Sequence, residues 1–178
     1  PRKMVLSEPE TFPDVKYATR IQDTYFEVAA PIRRWHLQTQ LDADKHGHLR
    51  NPFGYKLQLN HVFHHVKECG TWVRKPGDDA NAALAFLPQS TAAAIIKEAM
   101  IRLYFDRYDE VGQYLRLQVH DSLVSEVPMD RLDQARAVKT VEMTRPIPEL
   151  PLPASFGLGE YLVIDVDAKV GERWGSLN

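Results

Sequence analysis

The residues of this chain best suited to chemistry lie in one stretch, Leu117-Gln118-Val119-His120-Asp121-Ser122-Leu123-Val124-Ser125-Glu126-Val127-Pro128. Two apolar runs flank the polar trio His120-Asp121-Ser122, a pattern that predicts two strands meeting at a tight turn. A carboxylate at a hairpin tip is held rigidly and still faces solvent. There Asp121 can grip a hard divalent cation through one or two oxygens and leave coordination places for substrate phosphates. The plainer alternative is turn chemistry alone, because Asp favours turns for its own backbone hydrogen bonds. A second group of ligand types is His61, His64, His65 and Cys69, with His46 and His48 nearby. Imidazole and thiolate are zinc ligands, and His61 and His65 are spaced for one helical face. No paired-cysteine motif accompanies them, and several of the same histidines read simply as surface residues.

Elements that would position these groups can be read from periodicity. Residues 13–40 read as helix, with Ile21, Tyr25, Val28, Ile32, Trp35 and Leu37 near one face. Pro31 inside that pattern is expected to kink or break it. Residues 46–51 and 55–59 read as short strands turned by Pro52-Phe53-Gly54, and residues 61–79 as irregular chain ending in Pro76-Gly77-Asp78. A long helix is expected over 89–109, with the stripe Ala92, Ile95, Ile96, Ala99, Met100 and Leu103. Gln89-Ser90-Thr91 would form its head, where a hydroxyl caps exposed amides. Strands at 114–119 and 123–127, a helix over 129–143 capped by Asp130, a Pro-rich loop over 145–158 and a last strand over 160–170 complete the pattern. This order lacks regular βαβ alternation and predicts an α+β domain with helices on one face of an antiparallel sheet. Trp35, Trp72 and Trp174 are expected to be packing anchors.

Composition bounds the class. The 178 residues are 44% hydrophobic and 26% charged, the make-up of a globular chain with one sizeable core. No apolar run approaches the ~20 residues that span a bilayer, and no secretory signal pattern opens the chain. One cysteine, Cys69, excludes an internal disulfide and points to a reducing compartment. Residues 1–75 hold 12 Lys/Arg against 8 Asp/Glu, and residues 76–178 hold 10 against 16. The net +4 and net −6 exclude a wholly basic nucleic-acid binder and allow a basic arm beside an acidic site.

Several segments taken together resemble one family. The stretch from Leu117 to Pro128 resembles motif C of family A DNA polymerases, L-Q-x-H-D-E-x-x-x-E-x-P. Pro88-Gln89-Ser90-Thr91-Ala92-Ala93-Ala94-Ile95-Ile96-Lys97-Glu98-Ala99-Met100-Ile101 is similar to the family's P-x-Q-G-T-A-A-D-I-I-K-x-A-M-I helix. Gly47-His48-Leu49-Arg50-Asn51-Pro52-Phe53-Gly54-Tyr55 resembles the G-x-x-x-T-x-x-G-R-R-R hairpin, and Asp23-Thr24-Tyr25-Phe26 the x-x-Y-F segment before it. Residues 162–174 look like the last strand and the terminal E-x-W, and Pro1-Arg2-Lys3-Met4 like the segment directly after the fingers. The matches occur in family order along nearly the whole chain.

The resemblance implies a palm-type antiparallel sheet with helices on one face, residues 1–178 forming a single C-terminal palm region. It implies DNA-directed deoxynucleotidyl transfer to a primer 3′ end in replication or repair, in the cytoplasm of a bacterial cell or a phage-infected host. Asp121 would hold catalytic Mg²⁺ in a two-metal site, with Mn²⁺ as an alternative ion. His120 would contact the primer terminus, Gln89 the minor groove of the primer-template, and Arg50 and Lys56 the duplex phosphates. Partners would be primer-template DNA and a deoxynucleoside triphosphate, with no membrane. The departures are specific. Ser122 stands where the family has its second motif C acid, Ser90 replaces a glycine, Ala94 an aspartate, and Tyr55 and Lys56 stand for Arg-Arg. Upstream of Gln89, Asn81 and Ala85 align with positions commonly Arg and Asn. Residues 61–79 look rewritten or inserted. The first catalytic carboxylate and the fingers would belong to an upstream polymerase segment or a partner chain, so the fragment alone is expected to be inactive. Two alternatives remain: a non-catalytic DNA-binding or split-polymerase subunit, and the palm of a single-subunit RNA polymerase, where His-Asp-Ser is a familiar form.

Overall fold

The computed structural model describes residues 2–176, the side chains of residues 2, 3 and 174 excepted. Pro1 and the Trp174 side chain, both named above, therefore lie outside the described residues. The chain divides into two compact units, one running up to Leu49 and resuming over Leu57–Ala85, the other made of Arg50–Lys56 and Phe86 onward.

The first unit opens with α1 (Arg2–Ser7) and α2 (Val15–Val28). The Asp14 carboxylate starts α2 by accepting the Tyr17 N–H at 2.7 Å, which satisfies one orphan amide of the first turn. The helix expected over 13–40 is broken at Ala29, and α3 (Ala30–His46) restarts with Pro31 in its first turn, where a missing N–H costs nothing. β1 (His48–Arg50) and β2 (Lys56–Gln58) pair on either side of the Pro52–Gly54 turn. The segment expected to be irregular is instead an antiparallel ribbon, β3 (Phe63–Glu68) with β4 (Thr71–Pro76). Nearly every residue of that ribbon is exposed, so neither face carries the apolar alternation that announces a strand. Trp35 and Trp72 are 41% and 68% exposed, so they do not anchor packing.

The helix α4 spans Ala80–Phe105 with Pro88 inside it. It begins nine residues earlier than its apolar stripe indicated, because the alanine-rich run before Pro88 has strong helix propensity. Gln89, Ser90 and Thr91 are therefore internal positions and cap nothing. After a 3-10 turn at Gly112–Tyr114 come β5 (Leu115–Val119) and β6 (Ser122–Ser125), then α5 (Leu132–Met143), which has no side-chain cap, so Asp130 does not serve as one. β7 (Ile147–Pro151) pairs antiparallel with β8 (Tyr161–Leu162). The strand expected over 160–170 shrinks to those two residues: Pro148 and Pro151 lack N–H groups, which limits the ladder their strand can offer. The core of this unit centres on Leu103, Val111, Leu123 and Ala135, with Ile96, Met100, Leu115, Val127, Val138 and Met143 packed around it. Gly112 is needed there, since a Cβ would lie 2.5 Å from the Leu103 carbonyl oxygen.

The described chain is 49% helix and 20% strand, and β3–β4, β5–β6 and β7–β8 all pair antiparallel, an α+β fold as the element order predicted, its strands set in four separate two-stranded sheets. Among the described residues no helix is long and apolar enough to cross a membrane.

Candidate active site

The five residues to which the resemblance assigns roles, Arg50, Lys56, Gln89, His120 and Asp121, all fall in the second unit, and the histidine group with Cys69 in the first. His120 and Asp121 form the two-residue tip of the β5–β6 hairpin. The register pairs Val119 with Ser122, Gln118 with Leu123 and Leu117 with Val124, and a bulge interrupts the ladder toward Leu115. His120 has φ 53°, left-handed backbone that a non-glycine residue adopts at a cost of ~1–2 kcal/mol. Gln118 compensates: its amide Nε2 donates to the His120 carbonyl at 3.1 Å and clamps the strained peptide. The tip residues 120–122 are exposed. The Ser122 hydroxyl donates to Asp121 Oδ1 at 3.4 Å, a long contact that leaves most of the carboxylate's acceptor capacity to solvent.

The hairpin is braced from below. Leu123, the second residue of β6, is buried in the core. Lys139 on α5 donates to the Leu123 carbonyl and, at 3.1 Å, to Ser125 Oγ. Burial pushes the Lys139 ammonium below the usual lysine range. Glu126, the acid just after the hairpin, is held by Arg116 at 3.3 Å.

Arg50 and Lys56 flank the tip of the β1–β2 hairpin, and both are exposed. Arg50 Nη1 donates to the Gly54 carbonyl at 3.0 Å, bridging the turn it belongs to. The residue that organises this turn is Asn51, which is 4% exposed. Its Oδ1 accepts from the Phe53 and Tyr55 amides at 3.1 and 2.9 Å, and its Nδ2 donates to Ser90 Oγ at 3.1 Å. Lys97 sits over the Tyr55 ring at 5.1 Å, a second tie between turn and helix. The structure thus brings Arg50 and Lys56 to the stretch of α4 that carries exposed Gln89. Sequence reading missed Asn51; its signal was an Asn immediately before a Pro-x-Gly turn. Further along α4, Met100, Ile101, Tyr104 and Phe105 line one wall of an open apolar cleft of about 340 Å³, and Leu115, Leu117 and Leu123 of the Asp121 hairpin line the other. One helix therefore contacts both the basic turn and the Asp121 hairpin, at positions roughly 15 Å apart by helical rise.

The donor set at the tip suits a hard cation in part. Mg²⁺ is commonly held by one or two carboxylates plus substrate phosphates and water. Asp121 offers one exposed carboxylate, Ser122 a neutral hydroxyl, and Glu126 is engaged by Arg116. Among the described residues no group of three or more His, Cys, Asp or Glu converges on a metal site. That includes the histidines of residues 61–69. His64 and His65 are consecutive on strand β3, so they face opposite sides, and no helical face joins His61 to His65.

The sequence model of one family, DNA polymerase family A, matches residues 6–176. The chain is 32% identical over 148 residues to the thermostable DNA polymerase I of Thermus filiformis, a match covering 82% of this chain and 17% of that protein. It is 30% identical over 156 residues to DNA polymerase I of Deinococcus radiodurans, covering 86% of this chain and 15% of the relative. It is 25% identical over 166 residues to a DNA polymerase of Mycobacterium phage D29, covering 92% and 22%. The chain thus spans about a sixth of the length of the bacterial relatives. No solved structure gives a significant match.

Proposed function

Because the chain belongs to DNA polymerase family A, we propose that it is the palm portion of a template-directed DNA polymerase, contributing one metal-ligating carboxylate and part of the primer-template grip. The observation that carries this reading is the hairpin tip. Asp121 is exposed, it comes directly after a strained His120, and it is fixed from both strands by Gln118 and by the Lys139 brace.

In phosphoryl transfer the protein mainly positions reactants and neutralises developing charge. Bound Mg²⁺ would neutralise charge on the nucleotide phosphates and lower the pKa of the attacking hydroxyl. Asp121 is the residue of this chain that would hold it. His120, its side chain exposed beside that carboxylate, would donate to the primer-terminal backbone. Arg50 and Lys56 would hold duplex phosphates, the guanidinium through its N–H fork and the ammonium as a point charge, and Gln89 would meet acceptor atoms common to all base pairs in the minor groove. Asn51 and Ser90 would keep these three groups in register. A second carboxylate would be supplied by protein outside this chain.

The test is primer extension by the complete gene product. Asp121→Ala should lower the extension rate at least about a hundredfold, the equivalent of ~3 kcal/mol of lost charge stabilisation. The 178-residue chain alone should not extend a primer. An unchanged rate in Asp121→Ala, or extension by the isolated chain, would overturn the reading. Ser122, in place of a second acid, favours the competing view of a non-catalytic DNA-binding subunit. Under that view the complete protein binds primer-template and extends nothing, with or without Asp121.

A further inference from the structure

We propose that one face of the β3–β4 ribbon is a single-stranded DNA-binding surface, with Trp72 as a stacking platform for an unpaired base and Lys67 and Arg74 as phosphate contacts. The register decides which side chains share a face. Lys67 pairs with Trp72, His65 with Arg74 and Phe63 with Pro76, so these six lie on one side. The Arg74 guanidinium over the Phe63 ring at 5.8 Å agrees with that placement. The other side carries His64 with Lys75, Val66 with Val73 and Glu68 with Thr71.

The two faces differ in charge. On the second, Lys75 is ion-paired to Glu68, so its cation is neutralised locally. On the first there is no carboxylate, and Lys67, Arg74 and His65 share the face with Trp72, which is 68% exposed. Burying an indole in the fold is the usual way to use its apolar area; leaving one exposed amid cations suits a partner that is both planar and anionic. Nucleic acid meets both demands, and an unpaired base presents the π-face that a duplex hides within its stack. An acidic peptide would satisfy the charge and leave the indole without a platform partner. Cys69 and Gly70 at the ribbon tip both have positive φ, the pattern of a type I′ two-residue hairpin turn, so the ribbon is a defined element rather than a slack loop. This surface lies in the first unit and stands independently of the Asp121 reading.

The experiment is fluorescence anisotropy of a labelled oligothymidylate with the 178-residue chain across a salt series. Trp72→Ala should weaken binding roughly tenfold, and Trp72→Phe should recover most of that loss, since stacking on one aromatic is worth ~1–3 kcal/mol. The double substitution Lys67→Gln/Arg74→Gln should reduce the slope of log K against log salt by ~1.4, two phosphate contacts at ~0.7 each for single strands. Lys75→Gln on the opposite face should keep both affinity and slope. The proposal is overturned if Trp72→Ala binds like the parent, if Trp72→Phe loses as much as the alanine variant, or if Lys75→Gln equals the double substitution. Competition by polyglutamate or a duplex as strong as by the oligothymidylate would overturn it too. Failure here leaves the Asp121 test untouched, because that test reads primer extension by the complete protein.

Discussion

Glu142 is the residue on which the second unit should depend most. It lies on α5 with none of its side chain exposed, and three arginines close on it. Arg107 Nε donates to Oε1 at 2.9 Å, Arg145 Nε lies 2.9 Å from Oε2 without the alignment of a hydrogen bond, and Arg102 Nε lies 3.8 Å away. Arg102 also donates through Nη2 to the Glu142 carbonyl at 3.0 Å, which ties α4 to α5. The Arg107 guanidinium is held above its ordinary pKa, first by its hydrogen bond to Glu142 and then by the charges of Glu110 and Glu142. Removing one member of a buried charge network typically costs ~3–5 kcal/mol, because the partners left behind are uncompensated. Here the partners are 25%, 40% and 46% exposed, so they can rehydrate in part. Glu142→Ala should therefore fall at the lower end, ~3 kcal/mol. With a urea m-value of ~2 kcal/mol/M the unfolding midpoint should drop by ~1.5 M. Glu142→Gln keeps the shape and one acceptor, and should cost about half as much. Circular dichroism in urea measures both. A midpoint shift below ~0.3 M for Glu142→Ala would refute the network's role. A glutamine variant equal to the parent would mean that packing, not charge, holds the node.

Two further outcomes rest on single contacts. Lys139→Met leaves the Leu123 carbonyl without its donor and should lower Tm by roughly 2–8 °C, from ~1–2 kcal/mol lost; a raised Tm would show that desolvating the ammonium outweighs its bonds. The Asp79 carboxylate accepts the Asn60 and His61 amides at 2.8 and 2.9 Å, the His61 bond being the larger cause that holds its pKa below the ordinary 3.8. A depressed carboxylate stabilises the fold fully above its unfolded pKa and loses that contribution as pH falls through the folded value. The stability gap between the parent and Asp79→Ala should therefore be constant above about pH 5 and shrink below pH 3.8, as read by thermal melts at stepped pH. A gap that stays constant down to about pH 2 would refute the linkage.

How much could be read from residues alone depended on whether an element's signal was local. The Asp121 hairpin was legible because apolar strands bracket a polar trio, and the break near Pro31 because a missing N–H is a local fact. The β3–β4 ribbon was not, since both of its faces are solvated and periodicity reports burial rather than pairing. The start of α4 was misplaced because its first turns show alanine propensity without an amphipathic stripe, and Pro88 reads as a boundary when it lies inside the helix. Asn51 and Ser90 are 39 residues apart, and Glu142 meets Arg102 and Arg107 from 40 and 35 residues away. Such pairings exist only once the chain has folded. A faint signal was present at Glu142: it sits three and seven residues beyond Lys139 and Ala135, on the face of α5 that packs inward.

The hairpin shows why one carboxylate is so thoroughly positioned. A strained residue at a tip survives only where its surroundings over-determine it. Here the Gln118 amide fixes the His120 carbonyl, Leu123 is anchored in the core, and Lys139 holds the β6 backbone from α5. Through Glu142 and Arg102 the same helix is locked to α4, which meets the Asn51 turn at Ser90. The metal-ligating candidate and the basic turn are thus both tied to α4, the hairpin across the apolar cleft and through α5 as well, the turn at Ser90. Yet the tip holds a single acid outside any ion pair, with Ser122 neutral and Glu126 bound to Arg116. Holding two divalent ions about 4 Å apart takes several anionic oxygens, because each ion repels the other. A candidate site this firmly shaped around one carboxylate makes chemical sense as part of a larger constellation. The corresponding expectation is that the isolated chain binds Mg²⁺ weakly at Asp121, and that affinity rises in the complete gene product with a nucleotide's phosphates present.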